Sequence, residues 1–153
     1  MLTHKKAVLD DYPKVLEVWG KSVKETHNFL SQKDFVFYQE AIPNYLNAVE
    51  LLLWYDDEQL LGFSGTQDEE LAMLFLNPEF MGKKYGSKIL VWLLENKNIQ
   101  KIDVNAQNKN AKAFYLKHGF TIDSEDQIDG FGKNYPILHL VKQSENEKEG
   151  VDK

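Results

Sequence analysis

The stretch LAMLFLNPEFMGKKYGSKILVWLLENK, residues 71–97, constrains the fold more than any other. Its first six residues are apolar without alternation, as expected of a central strand covered on both faces. A turn follows in which Gly82 and Gly86 flank Lys83 and Lys84. From Ser87 to Asn96 the period becomes helical, with Ile89, Leu90, Leu93 and Leu94 on one face. IQKIDVNA then reads as another strand. Strand 71–76, helix 87–96 and strand 101–106 are therefore expected to form one parallel crossover, with the glycine turn at the carboxyl end of its first strand. Open sheets tend to bind their ligands outside such strand ends.

The remaining elements attach to this unit. MLTHKKAVL reads as an opening strand. Asp10 or Asp11 can cap the next helix, with Pro13 in its first turn. Tyr12, Val15, Leu16, Trp19 and Val23 share one face of that helix, and His27 extends the stripe. A second helix begins at Ser31 and is expected to bury Phe35, Tyr38, Ile42 and Tyr45, with Pro43 kinking or ending it. From Glu50 the period changes, and ELLLWYDDEQLLGFSGTQ predicts a hairpin turning at Asp56-Asp57. Beyond the crossover, Asn108 caps a short helix that carries Ala111, Phe114 and Tyr115 on one face, and Gly119 stands where a left-handed residue would stop it. Two last strands are expected near 120–126 and 135–142. The order β-α-α-β-β-β-α-β-α-β-β predicts an α/β (α+β) domain over residues 1–142 with a mixed, mostly antiparallel sheet, followed by a polar, frayed tail over 143–153.

Charge and composition remove several function classes. Eighteen basic and twenty-four acidic residues give a net charge of −6, which repels nucleic acid and anionic membranes and mildly favours a cationic small molecule or peptide amine. No apolar run approaches the roughly 20 residues of a membrane span. The N-terminal stretch has no apolar signal core, so a cytoplasmic protein is expected. The chain has no cysteine, which excludes disulfides, thiolate metal sites and a cysteine nucleophile. His4, His118 and His139 are scattered, and no metal is expected. GxSxG, HExxH and a complete P-loop are all missing.

From spacing alone, several residues have a bland account. The lysine pair can be a solvated helix end, Tyr115 can simply pack beside Phe114, Asn108 can be an ordinary N-cap, and His27 can be a core-edge histidine with one hydrogen bond. Glycines ahead of a helix also let a backbone wrap a phosphate, because unpaired N–H groups and the helix dipole converge there.

The element order, the turn MGKKYGSKIL and the segment NAQNKNAKAFYLKHGF (105–120) together resemble the GCN5-related N-acetyltransferase family, over about residues 2–142. The most specific match is Asn-x-x-Ala-x-x-Phe-Tyr-x-x-x-Gly-Phe, on Asn108, Ala111, Phe114, Tyr115, Gly119 and Phe120. WGKSVKETHNFLS and FGKNYPILHL resemble segments of small single-domain bacterial acetyltransferases of undefined substrate.

The resemblance implies a sheet with helices on both faces and acetyl-CoA as cosubstrate. It implies that pantetheine lies along Leu74, Phe75 and Leu76, and that the diphosphate meets Met81, Gly82, Lys83, Lys84, Tyr85, Gly86 and Ser87, mainly through backbone N–H groups. Asn108 would contact the coenzyme arm. Tyr115, a phenol with pKa near ~10, would protonate the departing thiolate. The N–H of Leu76, freed by a bulge or splay in its strand, would donate to the oxyanion. Glu70, or Glu69 beside it, is a candidate base, while Glu25 or His27 would meet the acceptor amine opposite Tyr135 and Lys133. The family pattern Gln/Arg-x-x-Gly-x-Gly/Ala falls on Met81, Lys84 and Gly86, of which only the last fits. A lysine in the middle is compatible with a negative φ of helical kind.

The implied activity is acetyl transfer to an amine of a small molecule or peptide by direct attack on the thioester, in a monomer or homodimer. A non-catalytic CoA-binding or sensor module of the same fold is the alternative. A plain nucleotide-binding protein is disfavoured because the dinucleotide fingerprint is missing.

Overall fold

A computed structural model describes residues 1–143, so the expected tail lies, except for Gln143, outside the described residues. The elements in order are β1 (Leu2–Lys6), α1 (Tyr12–Thr26), α2 (Gln32–Ala41), α3 (Pro43–Leu46), β2 (Glu50–Asp56), β3 (Gln59–Gln67), β4 (Glu70–Leu76), α4 (Tyr85–Lys97), β5 (Lys101–Asn105), α5 (Lys109–Lys117), β6 (Phe120–Asp126) and β7 (Ile137–Lys142). Single 3-10 turns at Leu9–Asp11 and Pro78–Phe80 precede α1 and α4. The predicted order holds, with the short α3 added. The chain divides into two compact units, Met1–Asn98 and the residues from Ile99 onward. No helix among the described residues is long and apolar enough to cross a membrane.

In the first unit the strands run in the order β1-β2-β3-β4, each antiparallel to its neighbour. Alternation sends Leu51 and Leu53 to one face, where they pack with Val15, Val18, Trp19 and Val23 of α1, Phe35 of α2, Leu46 of α3 and Phe63 of β3. Trp54 points to the other face and meets Trp92 of α4 edge-on at 5.3 Å, so helices cover both faces. The indole N–H of Trp54 is satisfied by the buried Ser64 hydroxyl at 2.9 Å.

Local details depart from expectation in instructive ways. Pro43 ends the run of α2, and the restart shifts the register, so Leu46 is buried while Tyr45 is 47% exposed rather than buried. The hairpin turns at Asp57-Glu58, one residue later than predicted, with Asp57 left-handed. Asp11 occupies the N-cap position of α1, yet its carboxylate accepts from the Val8 N–H behind it instead of capping forward. Ser31 caps α2 as expected, accepting from the Asp34 N–H.

In the second unit β7 lies between β5 and β6, antiparallel to both. Helix α5 packs against β5 and β6. Ile102, Val104, Leu138 and Leu140 pair across the strands as buried residues, with Phe120 buried at the start of β6.

Candidate functional site

The turn into α4 is built from left-handed backbone. Gly82 has φ +75° with open space where a side chain would be, and Lys84, the N-cap residue of α4, has φ +69°. The helical φ expected at Lys84 is therefore wrong. A lysine thus takes a conformation that glycine adopts without cost, and it bears a strain of about 1–2 kcal/mol. No side chain caps α4 at Lys84, so the first-turn N–H groups of Tyr85 and Gly86 point along the axis with no cap from that residue. Lys83 and Lys84 are exposed, and Met81 is half-buried.

Both ends of the turn are tied to the β2–β3 hairpin. At the entrance, Asn77 donates its backbone N–H to Leu61 O at 2.7 Å and its side-chain amide to Leu60 O at 3.0 Å. At the exit, the Tyr85 phenol donates to Asp56 Oδ2 at 2.5 Å and sets its ring edge-on to the buried Phe80. The Asp56 carboxylate lies below its ordinary pKa, because it accepts from the terminal amine of Met1 and from Tyr85, while that same carboxylate raises the Tyr85 phenol. Thus the Tyr85 side chain is engaged by Asp56.

Strand β4 brings Leu74, Phe75 and Leu76 to the turn as half-buried residues. Since Asn77 N–H bonds to Leu61 O, the alternation of an antiparallel ladder makes Phe63–Phe75 the next hydrogen-bonded pair and turns the Leu76 N–H away from β3. That is the orientation an oxyanion donor needs. A bulge interrupts β4 toward its start: Gly65 faces Met73 and Thr66 faces Leu71, leaving Ala72 as the extra residue. Close approach of β4 to β3 depends on Gly62, where a Cβ would lie 2.1 Å from the Phe75 carbonyl oxygen. Asp56, Gly62 and Asn77 were not singled out by sequence reading; a glycine inside a strand was the available signal for the second.

The second unit carries Asn108 and Tyr115 on α5. Asn108 caps the helix, accepting from the Ala111 N–H at 3.2 Å. Tyr115 is buried, with Phe114 and Phe120 edge-on at 5.2 and 6.3 Å. Burial raises its pKa above the ordinary phenol value, so the hydroxyl is protonated in the coenzyme-free protein and is a weaker acid than the ordinary phenol expected.

The acceptor-side residues are spread over the chain. Glu25 is exposed near the end of α1, and Glu70 opens β4. His27 is the C-cap residue of α1, half-buried, with its ring 5.2 Å from Phe29 and its pKa held down to about 4 by burial. The Thr26 hydroxyl donates its only hydrogen to Ser22 O at 2.8 Å, so at 2.7 Å from His27 Nδ1 it must accept. Satisfying both contacts at once assigns the neutral tautomer with hydrogen on Nδ1 and a lone pair on Nε2. Tyr135 and Lys133 belong to the β6–β7 loop, which Asp129 organises by accepting from the N–H groups of Phe131 and Lys133. Among the described residues no cluster of three or more acidic or histidine side chains could hold a metal ion.

Comparison with known proteins identifies the family and the fold. The family model for an acetyltransferase (GNAT) domain matches residues 17–132. Peptidyl-lysine N-acetyltransferase YjaB of Salmonella typhimurium is 29% identical over 144 residues, spanning 92% of this chain and 98% of that protein. The solution structure of apo-form YjaB from Escherichia coli superposes with a TM-score of 0.83 at 25% identity, over 92% of this chain and 97% of that one. The fold is shared with the PaiA N-acetyltransferase of Thermoplasma acidophilum, solved in complex with coenzyme A (TM-score 0.68, 23% identity, 94% of this chain and 99% of that one).

Proposed function

The chain belongs to the GNAT acetyltransferase family, and from that premise we propose that it moves the acetyl group of acetyl-CoA to the ε-amine of lysine in peptides or proteins. The observation that carries the acceptor is the relative named a peptidyl-lysine N-acetyltransferase, which matches this chain almost end to end. A net charge of −6 also favours approach of a cationic lysine segment.

Bound acetyl-CoA supplies an activated acyl group and a thiolate leaving group. In our reading the residues divide the remaining work. The main chain of Gly82–Ser87 and the N-terminus of α4 bind the diphosphate, where uncapped N–H groups and the dipole favour an anion, and Lys83 and Lys84 add exposed positive charge. Leu74, Phe75 and Leu76 line the pantetheine, with Asn108 contacting the coenzyme arm. Leu76 N–H donates to the acyl oxygen as charge develops there, an effect of about 2.7–4 kcal/mol for such donors. Tyr115 delivers its phenolic proton to the departing sulfur. Glu70 takes the proton of the attacking ammonium, directly or through water, and Glu25, His27 and Tyr135 position the amine, the lone pair on His27 Nε2 accepting from it.

Coupled thiol release with acetyl-CoA tests this. Lysine peptides are expected to be turned over, and Tyr115→Phe to lower kcat about 100-fold with little change in coenzyme affinity. Saturable binding of acetyl-CoA without turnover on any lysine peptide or small polyamine would instead identify a non-catalytic coenzyme-binding module. The departures at Met81 and Lys84 are the observation on that side.

A further inference from the structure

We propose that Tyr85 and Asp56 form a latch that sets the conformation of the turn at residues 82–87, which makes Asp56 a positioning residue for the coenzyme although it lies on a different strand. This rests on the reading of that turn as the diphosphate site.

Three observations converge. First, Tyr85 directly follows a left-handed lysine, a conformation that persists in a non-glycine residue only when its surroundings over-determine it. Second, the phenol makes a 2.5 Å bond to a carboxylate, in the short range of charge-assisted bonds, and its ring is seated against buried Phe80, so both ends of the side chain are fixed. Third, Asn77 fastens the entrance of the same turn to Leu60 and Leu61, just past the bend of the hairpin whose first strand ends at Asp56. The connection from β4 to α4 is thereby tied to one hairpin at Asn77, ahead of the turn, and at Tyr85 within it. Only the exit pin uses a side chain of the turn itself. Since the diphosphate would be recognised by the directions of main-chain N–H groups, the element that fixes Tyr85 also fixes the neighbouring N–H groups of Lys84 and Gly86. Asp57 and Glu58 form the bend; Asp57 reaches the Met1 amine at 3.1 Å and adds its charge near Tyr85, while Asp56 is the carboxylate that accepts from the phenol. The exposed Met1 amine also sits on Asp56, at Oδ1, a different oxygen from the one that Tyr85 uses.

The test joins kinetics to hydrogen exchange. Tyr85→Phe keeps the ring on Phe80 and deletes only the bond. It is expected to raise the KM for acetyl-CoA about fivefold, with kcat within about twofold, and to speed amide exchange at residues 82–88 of the coenzyme-free protein by a similar factor. Asp56→Ala should reproduce both effects, Asp56→Asn should restore most of them through its amide oxygen, and the double variant Tyr85→Phe/Asp56→Ala should be no worse than either single change. Wild-type exchange and KM in Tyr85→Phe would overturn the latch, as would single effects that add in the double variant. If the wild-type chain takes up no acetyl-CoA, the coenzyme reading falls, and the exchange experiment alone then supports or overturns the latch.

Discussion

Two of the passages from strand through turn to helix, β4 to α4 and β5 to α5, are built oppositely. Between β5 and α5 the side chains do the capping: Asn105 accepts from the Gln107 N–H at 2.8 Å and Asn108 from the Ala111 N–H at 3.2 Å. Between β4 and α4 the N-cap residue Lys84 makes no side-chain cap bond, and two left-handed residues, Gly82 and Lys84, shape the path. A capped helix start has spent its donors on its own chain, whereas an uncapped one presents them outward. The difference separates a helix that presents a side chain, Tyr115, from one that presents its backbone. It also predicts that the two passages respond to different kinds of substitution.

The most damaging change should strike the strand that feeds the uncapped passage. Gly62→Ala would put a Cβ 2.1 Å from Phe75 O and 2.8 Å from Leu76 Cα, both backbone atoms that cannot swing aside. A loss of about 3 kcal/mol in urea unfolding is expected, the upper range for overpacking, together with lost turnover because Leu76 is displaced. Near-wild-type stability would mean that β4 can shift without cost, and the positional argument for the Leu76 N–H would fail.

Asn108→Ala breaks the side-chain logic of the other passage and should cost about 1 kcal/mol. Lys84→Ala offers the contrast: with no cap bond to lose and the same backbone strain in alanine, its stability should stay within about 0.5 kcal/mol of wild type. Equal losses at the two positions would erase the distinction. Lys84→Gly sharpens it further. Relief of left-handed strain, less the extra freedom of an unfolded glycine, should stabilise the protein by about 0.5–1 kcal/mol, visible as a rise of about 1–4 °C in Tm.

These passages also show what the sequence carries in legible form. Periodicity located the strands and helices because each buries a regular stripe, and the Asn108 cap and the Gly119 stop were readable because their partners lie within one helical turn. Gly119 is left-handed at φ +94° as its position at the end of α5 required. Lys84 misled because nothing local says that a lysine will be held left-handed; the holding groups, Tyr85 and Asp56, are 29 residues apart. Tyr45 misled because a helical period was carried across Pro43, where the helix restarts. Gly62 reads as one small residue in a strand until β4 is seen against it. Contacts across strands are set by register, and register is fixed by the whole pattern rather than by any residue in it.

The smallest effect concerns the strands that carry the capped passage. His139 of β7 bridges Asp126 of β6 through Nε2 and Asp103 of β5 through Nδ1, each at 2.7 Å. Hydrogen bonds and charge from Asp126 first, then Asp103, raise its pKa above the usual 6.5. Since the folded pKa exceeds the unfolded one, the bridge contributes fully below about pH 6.5 and is lost as pH rises through the raised value. His139 is half-buried but its two carboxylate partners are exposed, so screening limits the contribution to about 1 kcal/mol or less. Urea unfolding between pH 6 and pH 9 should therefore show wild type losing stability relative to His139→Gln as the pH climbs. A gap that is flat, or that widens with pH, would remove the bridge as a contributor. A contribution lost in high salt would mark the bridge as a surface feature.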